Sequence, residues 1–479
     1  MVGTLHRRIG LATLMLLGAC RAGADYAPPP APASQAIAAG RFLRAGDAVN
    51  GPAPARWWLE LGDATLDDLE AEGLAAAPGP QAAEARMRQA RAGLAGARAG
   101  LLPAVGASVL YAHAGLPDGA IGGGGSGSSG SGSSDINLFN AGFDAQWEVD
   151  LWGGRRREVE RAAAEAGAAE ARLADAQVTL SAEIARTYVA LRAREANLAL
   201  LDQRRALEAR LGGYARQRFA AGTAPRQPLE AADAQYERTT AERAGLAAEV
   251  AVLTDALAVL TGVAPGELGA LPPGAVPLPP ASVAVGDPAA MLARRPDVRA
   301  AERRLAAANA AIGIEQARRL PGISFMGIIG LGGTSAGDLF DASKLSTIAL
   351  PRLRWNFLDF GKGAAAVRGA RAGRDAALAD YRGQVLAALQ DAEAALARHG
   401  VARIALANAA SATGHARTIA MLQAMRGKAG TASEADAVEA ERQALDAEIA
   451  ESNARADLTQ SYVALAKALG LGWTVNNGG

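Results

Sequence analysis

The sequence holds a single cysteine, Cys20, in 479 residues, so no intrachain disulfide supports its fold. Aromatic residues make up only 4% of the chain. Alanine dominates instead, which lets packed helices approach closely. Lys+Arg and Asp+Glu each number 49, so no basic excess points to nucleic acid. The histidines, His6, His113, His399 and His415, have no metal-ligand partner at useful spacing, and no catalytic constellation is visible. No run of roughly 18 apolar residues follows the N-terminus, so no transmembrane helix is expected. Membrane β-strands give a much weaker signal and stay open.

What is present begins with a secretion signal at residues 1–19. His6-Arg7-Arg8 is basic, Ile9 to Leu17 is apolar, and Leu17-Gly18-Ala19-Cys20 resembles a bacterial lipobox. This predicts cleavage before Cys20 and a covalent lipid on its thiol, the alternative being a stray cysteine in a cleaved signal. Residues 20–56, rich in Pro, Ala and Gly, read as a tether.

The rest reads as one structure written twice, over 57–262 and 289–470, with a Pro-rich linker at 263–288 and a loose tail at 471–479. Trp147-Glu148-Val149-Asp150-Leu151-Trp152-Gly153 recurs as Trp355-Asn356-Phe357-Leu358-Asp359-Phe360-Gly361. Gly222-Thr223 recurs as Gly430-Thr431 at the same offset of 208 residues. A repeat this long is a tandem duplication, not a solenoid unit. Each copy reads helix, two strands, long helix, turn, helix.

The strand candidates are 104–113, 137–151, 323–331 and 347–357. In the second, Phe139, Ala141, Phe143, Ala145, Trp147, Val149 and Leu151 alternate with mostly polar residues, a period of two over a bilayer-spanning length. Pro351 is unwelcome inside a ladder. The stretch from Gly122 to Ser134 reads as a solvated loop; no Gly-Lys-Ser/Thr follows to suggest a phosphate cradle. Helices are expected at about 80–101, 153–218, 228–262, 289–319, 361–427 and 433–470. The end of the first long helix is basic and the last helix acidic, consistent with two solvated faces or with ion pairs between neighbours. His399 and His415 read as solvated helix residues. Met421 and Met425 read as core packing rather than a soft-metal site.

Two membrane-length strands per copy give the chain four, too few to close a barrel, and open edges are not tolerated in lipid. Three chains would supply about twelve strands. The expected fold is therefore mostly α with a small membrane β-barrel: a trimeric 12-stranded β-barrel continued by a long α-helical barrel, with an internal tandem repeat. Trp147, Trp152, Trp355, Phe357 and Phe360 cluster where strand gives way to helix and suit a membrane-interface girdle, with ordinary core packing as the alternative.

Several segments carry a specific resemblance: Trp57 to Leu69, Glu148 to Gly153, Arg295-Pro296-Asp297-Val298-Arg299 with Ala301-Glu302, Leu320-Pro321, and Phe357 to Gly361. Through them the chain resembles the TolC-like outer-membrane factors, in the lipoprotein (OprM/NodT-like) branch of RND efflux systems. That resemblance implies a homotrimer without cofactor or enzymatic activity, anchored in outer-membrane lipid. Its helical part would lie in the periplasm, docking to a periplasmic adaptor (membrane fusion protein) and an inner-membrane RND transporter. It would passively carry drugs or small toxic compounds outward. The tips Gly222, Thr223, Pro225, Gly430, Thr431 and Ser433 would face the adaptor, or serve only as turns. Pro225, Pro228 and Ser433 would begin the returning helices. Lys428, Glu434 and Asp436 are aperture candidates, with helix capping or surface charge as the alternative. The chain departs from the family at Ala77-Pro78-Gly79-Pro80, and at Gly427, where an aromatic is usual. Type I protein secretion and a non-channel coiled-coil lipoprotein remain the competing readings.

Overall fold

The computed structural model describes residues 22–30, 32, 37–46, 51, 54–116 and 134–473. The signal, Cys20, most of the Gly/Ser loop and the tail beyond residue 473 lie outside the described residues.

A short 3₁₀ turn at Trp57–Leu61 leads to helix α1, Ala64–Ala76. Asp63 caps α1, its Oδ1 accepting from the N–H groups of Thr65 at 3.0 Å and Leu66 at 3.2 Å. Helix α2, Pro78–Ala99, starts two residues before the expected point, because proline suits the first helical position. Strands β1 (Ala104–Leu116) and β2 (Ser134–Val149) follow. Helices α3 (Gly154–Ala220) and α4 (Gln227–Thr261) complete the first copy.

The second copy opens with α5 (Pro288–Arg294) and α6 (Pro296–Ala317) where a single helix over 289–319 was expected. Pro296 causes the break: it lacks an N–H and pushes Arg295 to ψ 122°. Strands β3 (Gly322–Gly333) and β4 (Leu345–Arg354) follow, then α7 (Lys362–Lys428) and α8 (Glu434–Ala468). The duplication is exact in length: α3 and α7 have 67 residues each, α4 and α8 have 35 each. At 1.5 Å per residue each long helix measures about 100 Å.

The chain packs into two units, and each draws on both copies. The first comprises residues 1–28, 88–167 and 302–379 and holds the sheet. Its strands run antiparallel in the order β1-β2-β3-β4, leaving β1 and β4 as edges. Pro351 stands in β4, in register with Phe325, and the strand runs on through it to Arg354 although proline has no N–H to give a ladder. The sheet ends at Arg354, so Trp355 and Phe357 fall just past the strand expected to hold them. Between β3 and β4 the chain makes two 3₁₀ turns, Ala336–Phe340 and Ala342–Lys344.

The second unit, 29–87, 168–301 and 380–479, holds the main core: Trp57, Leu66, Ile184, Tyr188, Leu257, Met291, Tyr462 and Leu469 are buried together. The Pro-rich linker is pinned here. Arg192 donates to the Pro272 carbonyl at 2.6 Å and the Thr459 hydroxyl to that of Pro277 at 2.6 Å. The tail is also fixed at its start: Leu471 is buried, the Gly472 N–H donates to the Ala55 carbonyl at 2.9 Å, and Arg299 stacks on Trp473.

The second half of α4 is apolar enough to pass as a membrane span by composition, although it carries Glu249 and Asp255 and is mostly exposed in the single chain.

Candidate functional site: the sheet and the hairpin tips

Register resolves the sheet into two chemically distinct faces. Val105, Phe143, Ile329 and Thr347 stand on one face with Tyr111, Trp147, Phe325, Pro351 and Leu353. Apart from Thr347 and residues at the far end near His113, this face is apolar, and its large side chains are exposed, Val109 at 79% and Leu353 at 67%. The opposite face carries Asn140, Asp144, Gln146, Glu148, Ser324, Arg352 and Arg354 among small and aliphatic residues. A water-facing sheet in a soluble protein would not expose this much apolar surface. Glycine sets the spacing of β2 and β3. Gly142 faces Gly330, and a Cβ on Gly142 would lie 2.5 Å from the Gly330 Cα.

The five aromatics proposed for a girdle sit at the ends of the strands or just beyond, and two are anchored identically in the two copies. Trp147 donates its indole N–H to the Leu101 carbonyl at 3.0 Å, and Trp355 to the Arg319 carbonyl at 3.2 Å. Trp152 donates to the Pro321 carbonyl at 2.8 Å. Phe357 and Phe360 are 78% and 92% exposed, so neither is core packing of this chain. Asp150 begins α3 by accepting from the N–H groups of Arg155 and Arg156 at 2.9 and 3.0 Å. Asp359 does the same before α7 with Gly361 and Gly363.

A residue missed in the sequence binds the tether at this junction. Arg157, with its side chain 2% exposed, donates to the carbonyls of Ala22 at 3.0 Å and Gly23 at 2.7 Å and pairs with Asp25 at 3.0 Å. The Ala22 N–H donates to the Trp152 carbonyl at 2.8 Å, and the Tyr26 hydroxyl to Glu302 at 2.7 Å. Gly23, at φ 80°, comes so close to Gly313 that an added Cβ would lie 2.9 Å from its Cα. The run Arg155-Arg156-Arg157 was the available signal, but nothing local distinguishes the buried arginine from its neighbours.

The hairpin tips are superposable in their bonding. The Gly222 N–H donates to the Phe219 carbonyl and the Thr223 N–H to that of Arg218; Gly430 and Thr431 repeat this with Gly427 and Arg426, all at 2.9–3.0 Å. This is a Schellman ending, with glycines at φ 68° and 73°. Each threonine hydroxyl adds a bond to the same arginine carbonyl, at 3.0 and 3.1 Å. Pro225 lies before the returning helix rather than in it; Pro228 occupies the first turn of α4. Ser433 caps α8 in a reciprocal box with Asp436, whose carboxylate accepts from the Ser433 N–H at 3.2 Å. The Ser433 hydroxyl and N–H hold the Asp436 carboxyl below its usual value. Glu434 neighbours Tyr214 of α3 and pushes that phenol's pKa up. Lys428 is exposed in the last turn of α7. The basic and acidic helices pair directly, Arg204 with Asp446 at 3.1 Å and Arg210 with Glu441 at 3.7 Å.

Two expectations about single residues are corrected. His399 is buried, not solvated; its Nδ1 lies 3.0 Å from the Ser461 hydroxyl, and burial lowers its pKa. Met421 and Met425 are about half exposed and pack into no core of this chain. Among the described residues no group of three or more His, Cys, Asp and Glu could hold a metal.

Residues 72–263 and 288–471 match the family described as outer membrane efflux protein. The chain belongs to that family. The match breaks within the Pro-rich linker, between the two copies. The family's Arg-Pro-Asp segment has a structural role here. Arg295 donates to the Ala468 carbonyl at 2.7 Å and Arg294 to that of Leu469 at 3.1 Å, closing the end of α8. Among curated relatives, the pyoverdine export outer membrane protein OpmQ of Pseudomonas putida is 29% identical over 446 residues, 88% of this chain and 89% of that protein. Nodulation protein T of Rhizobium leguminosarum bv. viciae is 28% identical over 402 residues, 81% of this chain and 78% of that one. The solved outer-membrane channel OprN matches with a TM-score of 0.83 at 29% identity, covering 94% of this chain and 98% of its own. The open state of the Neisseria gonorrhoeae MtrE outer membrane channel matches at 0.81 and 25%, covering 95% and 98%. The mostly helical chain with a small sheet is thus the fold of outer-membrane efflux channels.

Proposed function

We propose that three copies of this chain form a passive outer-membrane conduit of a tripartite efflux pump, carrying drugs or small toxic compounds outward. The observation that carries this reading is the four-stranded sheet, apolar and exposed on one face, polar on the other, with both edges unpaired in the chain. In lipid, unpaired strand edges cost several kcal/mol per group, so β4 of one copy pairs with β1 of the next until the sheet closes. The apolar face then meets lipid and the polar face lines water. Exposed apolar side chains on α7, such as Val401 and Ile404, and the apolar half of α4 are covered by neighbouring copies.

The lipid reading fits the same arrangement. Ala22, two residues after Cys20, is held beside Trp152, so acyl chains on Cys20 enter the membrane at the aromatic girdle. Acyl chains contribute about 0.8 kcal/mol per buried CH₂. The tips at Gly222-Thr223 and Gly430-Thr431 meet a periplasmic adaptor, which couples the conduit to an inner-membrane RND transporter. Glu434, Asp436 and Lys428 stand at the aperture, where rings of charge select ions.

Native mass of the detergent-solubilised protein tests the assembly. Three copies are expected; a folded monomer sinks the barrel. A deletion strain tests the cargo. Increased sensitivity to small toxic compounds is expected, whereas loss of a secreted protein without such sensitivity replaces efflux with type I secretion.

A further inference from the structure

The polar face of the sheet carries its charges unevenly. β2 contributes Asp144 and Glu148, β4 contributes Arg352 and Arg354, and β1 and β3 contribute no charged residue to it. Glu148 is taken by Arg155 at 2.7 Å, and Arg155 also binds Glu158 at 2.9 Å. Arg352 is in register with Ser324, which is in register with Glu148. Two strand spacings, about 9–10 Å, separate the backbone of Arg352 from that of Glu148, and the Glu148 carboxylate is turned to Arg155 instead. Arg352 and Arg354 are exposed, and neither has an ion pair among the described residues. Both line a cavity of about 1190 Å³ with Gln146, Glu148 and Ser324, where the sheet meets the start of α3 and the end of α6.

We infer that Arg352 and Arg354 form an unneutralised cationic belt on the channel wall, favouring solutes that carry a carboxylate, phosphate or sulfonate. The inference rests on the barrel proposed above. In that barrel the other neighbour of β4 is the next copy's β1, whose inner-facing residues Ala104, Gly106, Ser108 and Leu110 offer no carboxylate. Closure therefore leaves the arginines unpaired. Around the wall, neutral, acidic, neutral and basic strands alternate, and the acid at Glu148 is already paired with Arg155. A cation-lined constriction with low-dielectric walls concentrates anions.

The near absence of cysteine provides the test. Ser324→Cys places one thiol on the polar face beside Arg352; Thr347→Cys places one on the apolar face; the parent chain reports the background of Cys20. Outer-membrane vesicles are treated with anionic (sulfonatoethyl) and cationic (trimethylammonioethyl) methanethiosulfonates, and rates are compared with those of a free small thiol. Two guanidinium groups about 8 Å away, in water at a screening length of 8–10 Å, favour the anionic reagent roughly three- to fivefold. With Arg352→Gln and Arg354→Gln added, the ratio falls to that of the free thiol; with Arg352→Lys and Arg354→Lys it is kept. The Lys pair also shows that the site folds. An unchanged ratio in the Gln background, or no preference beside the native arginines, overturns the belt and leaves the channel standing. Reaction at Thr347→Cys but not at Ser324→Cys instead overturns the face assignment, and the barrel with it.

Discussion

Glu70 is a carboxylic acid held in the core of the second unit with 0% of its surface exposed. Neither of its carboxyl oxygens has a hydrogen-bond partner among the described residues, and neither does the Ser181 hydroxyl beside it. Burial lifts its pKa from 4.5 to about 9; the nearby Ser181 hydroxyl opposes the rise and the Asp67 carboxylate adds to it. The folded chain thus keeps a proton that the unfolded chain releases above pH 4.5. Stability fully present below pH 4.5 is lost progressively as pH climbs towards 9. At pH 7.5 the loss is three pKa steps of about 1.36 kcal/mol, roughly 4 kcal/mol; at pH 5 it is below about 1 kcal/mol. Glu70→Gln keeps the shape and removes the titration. Thermal midpoints of the purified protein, followed by circular dichroism at pH 5, 7.5 and 9, read the effect. The variant's advantage over the parent should widen steadily with pH. A gap that stays constant or narrows refutes the reasoning, because a packing change alone carries no pH slope.

Other consequences follow from single contacts. Arg157→Ala removes two charged hydrogen bonds to the tether, each worth about 1.5–3 kcal/mol, so limited proteolysis should cut between residues 22 and 30 far faster. Gly222→Ala and Gly430→Ala meet no atom within 4 Å, so each should cost only the left-handed backbone penalty, about 1–2 kcal/mol, and the two should match in thermal midpoint. Gly142→Val drives a side chain into the Gly330 backbone and should abolish the assembled species on native gels. Gly106→Ala, whose Cβ meets only the Asp144 carboxylate at 3.2 Å, should leave it intact.

Much of the fold was legible because its signals are local. Alternation along Phe139 to Val149 specified a strand with one apolar face, and the recurrence of Gly222-Thr223 as Gly430-Thr431 specified equivalent turns, since only a residue tolerant of positive φ ends a helix that way. Pro296 was a local signal too, and it breaks a helix that periodicity alone had run through. The tertiary structure decided what charge and burial mean at particular residues. Asp436 serves first as a cap; Glu70 is buried without a hydrogen-bond partner among the described residues; His399 meets Ser461 from another helix; and Arg157, alone of three adjacent arginines, is enclosed by a tether more than 130 residues away in sequence. Periodicity and turn chemistry act within a few residues, so the chain writes its helices and strands plainly. The environment of a charge depends on partners brought together only when the two copies pack, and no local pattern encodes those distances.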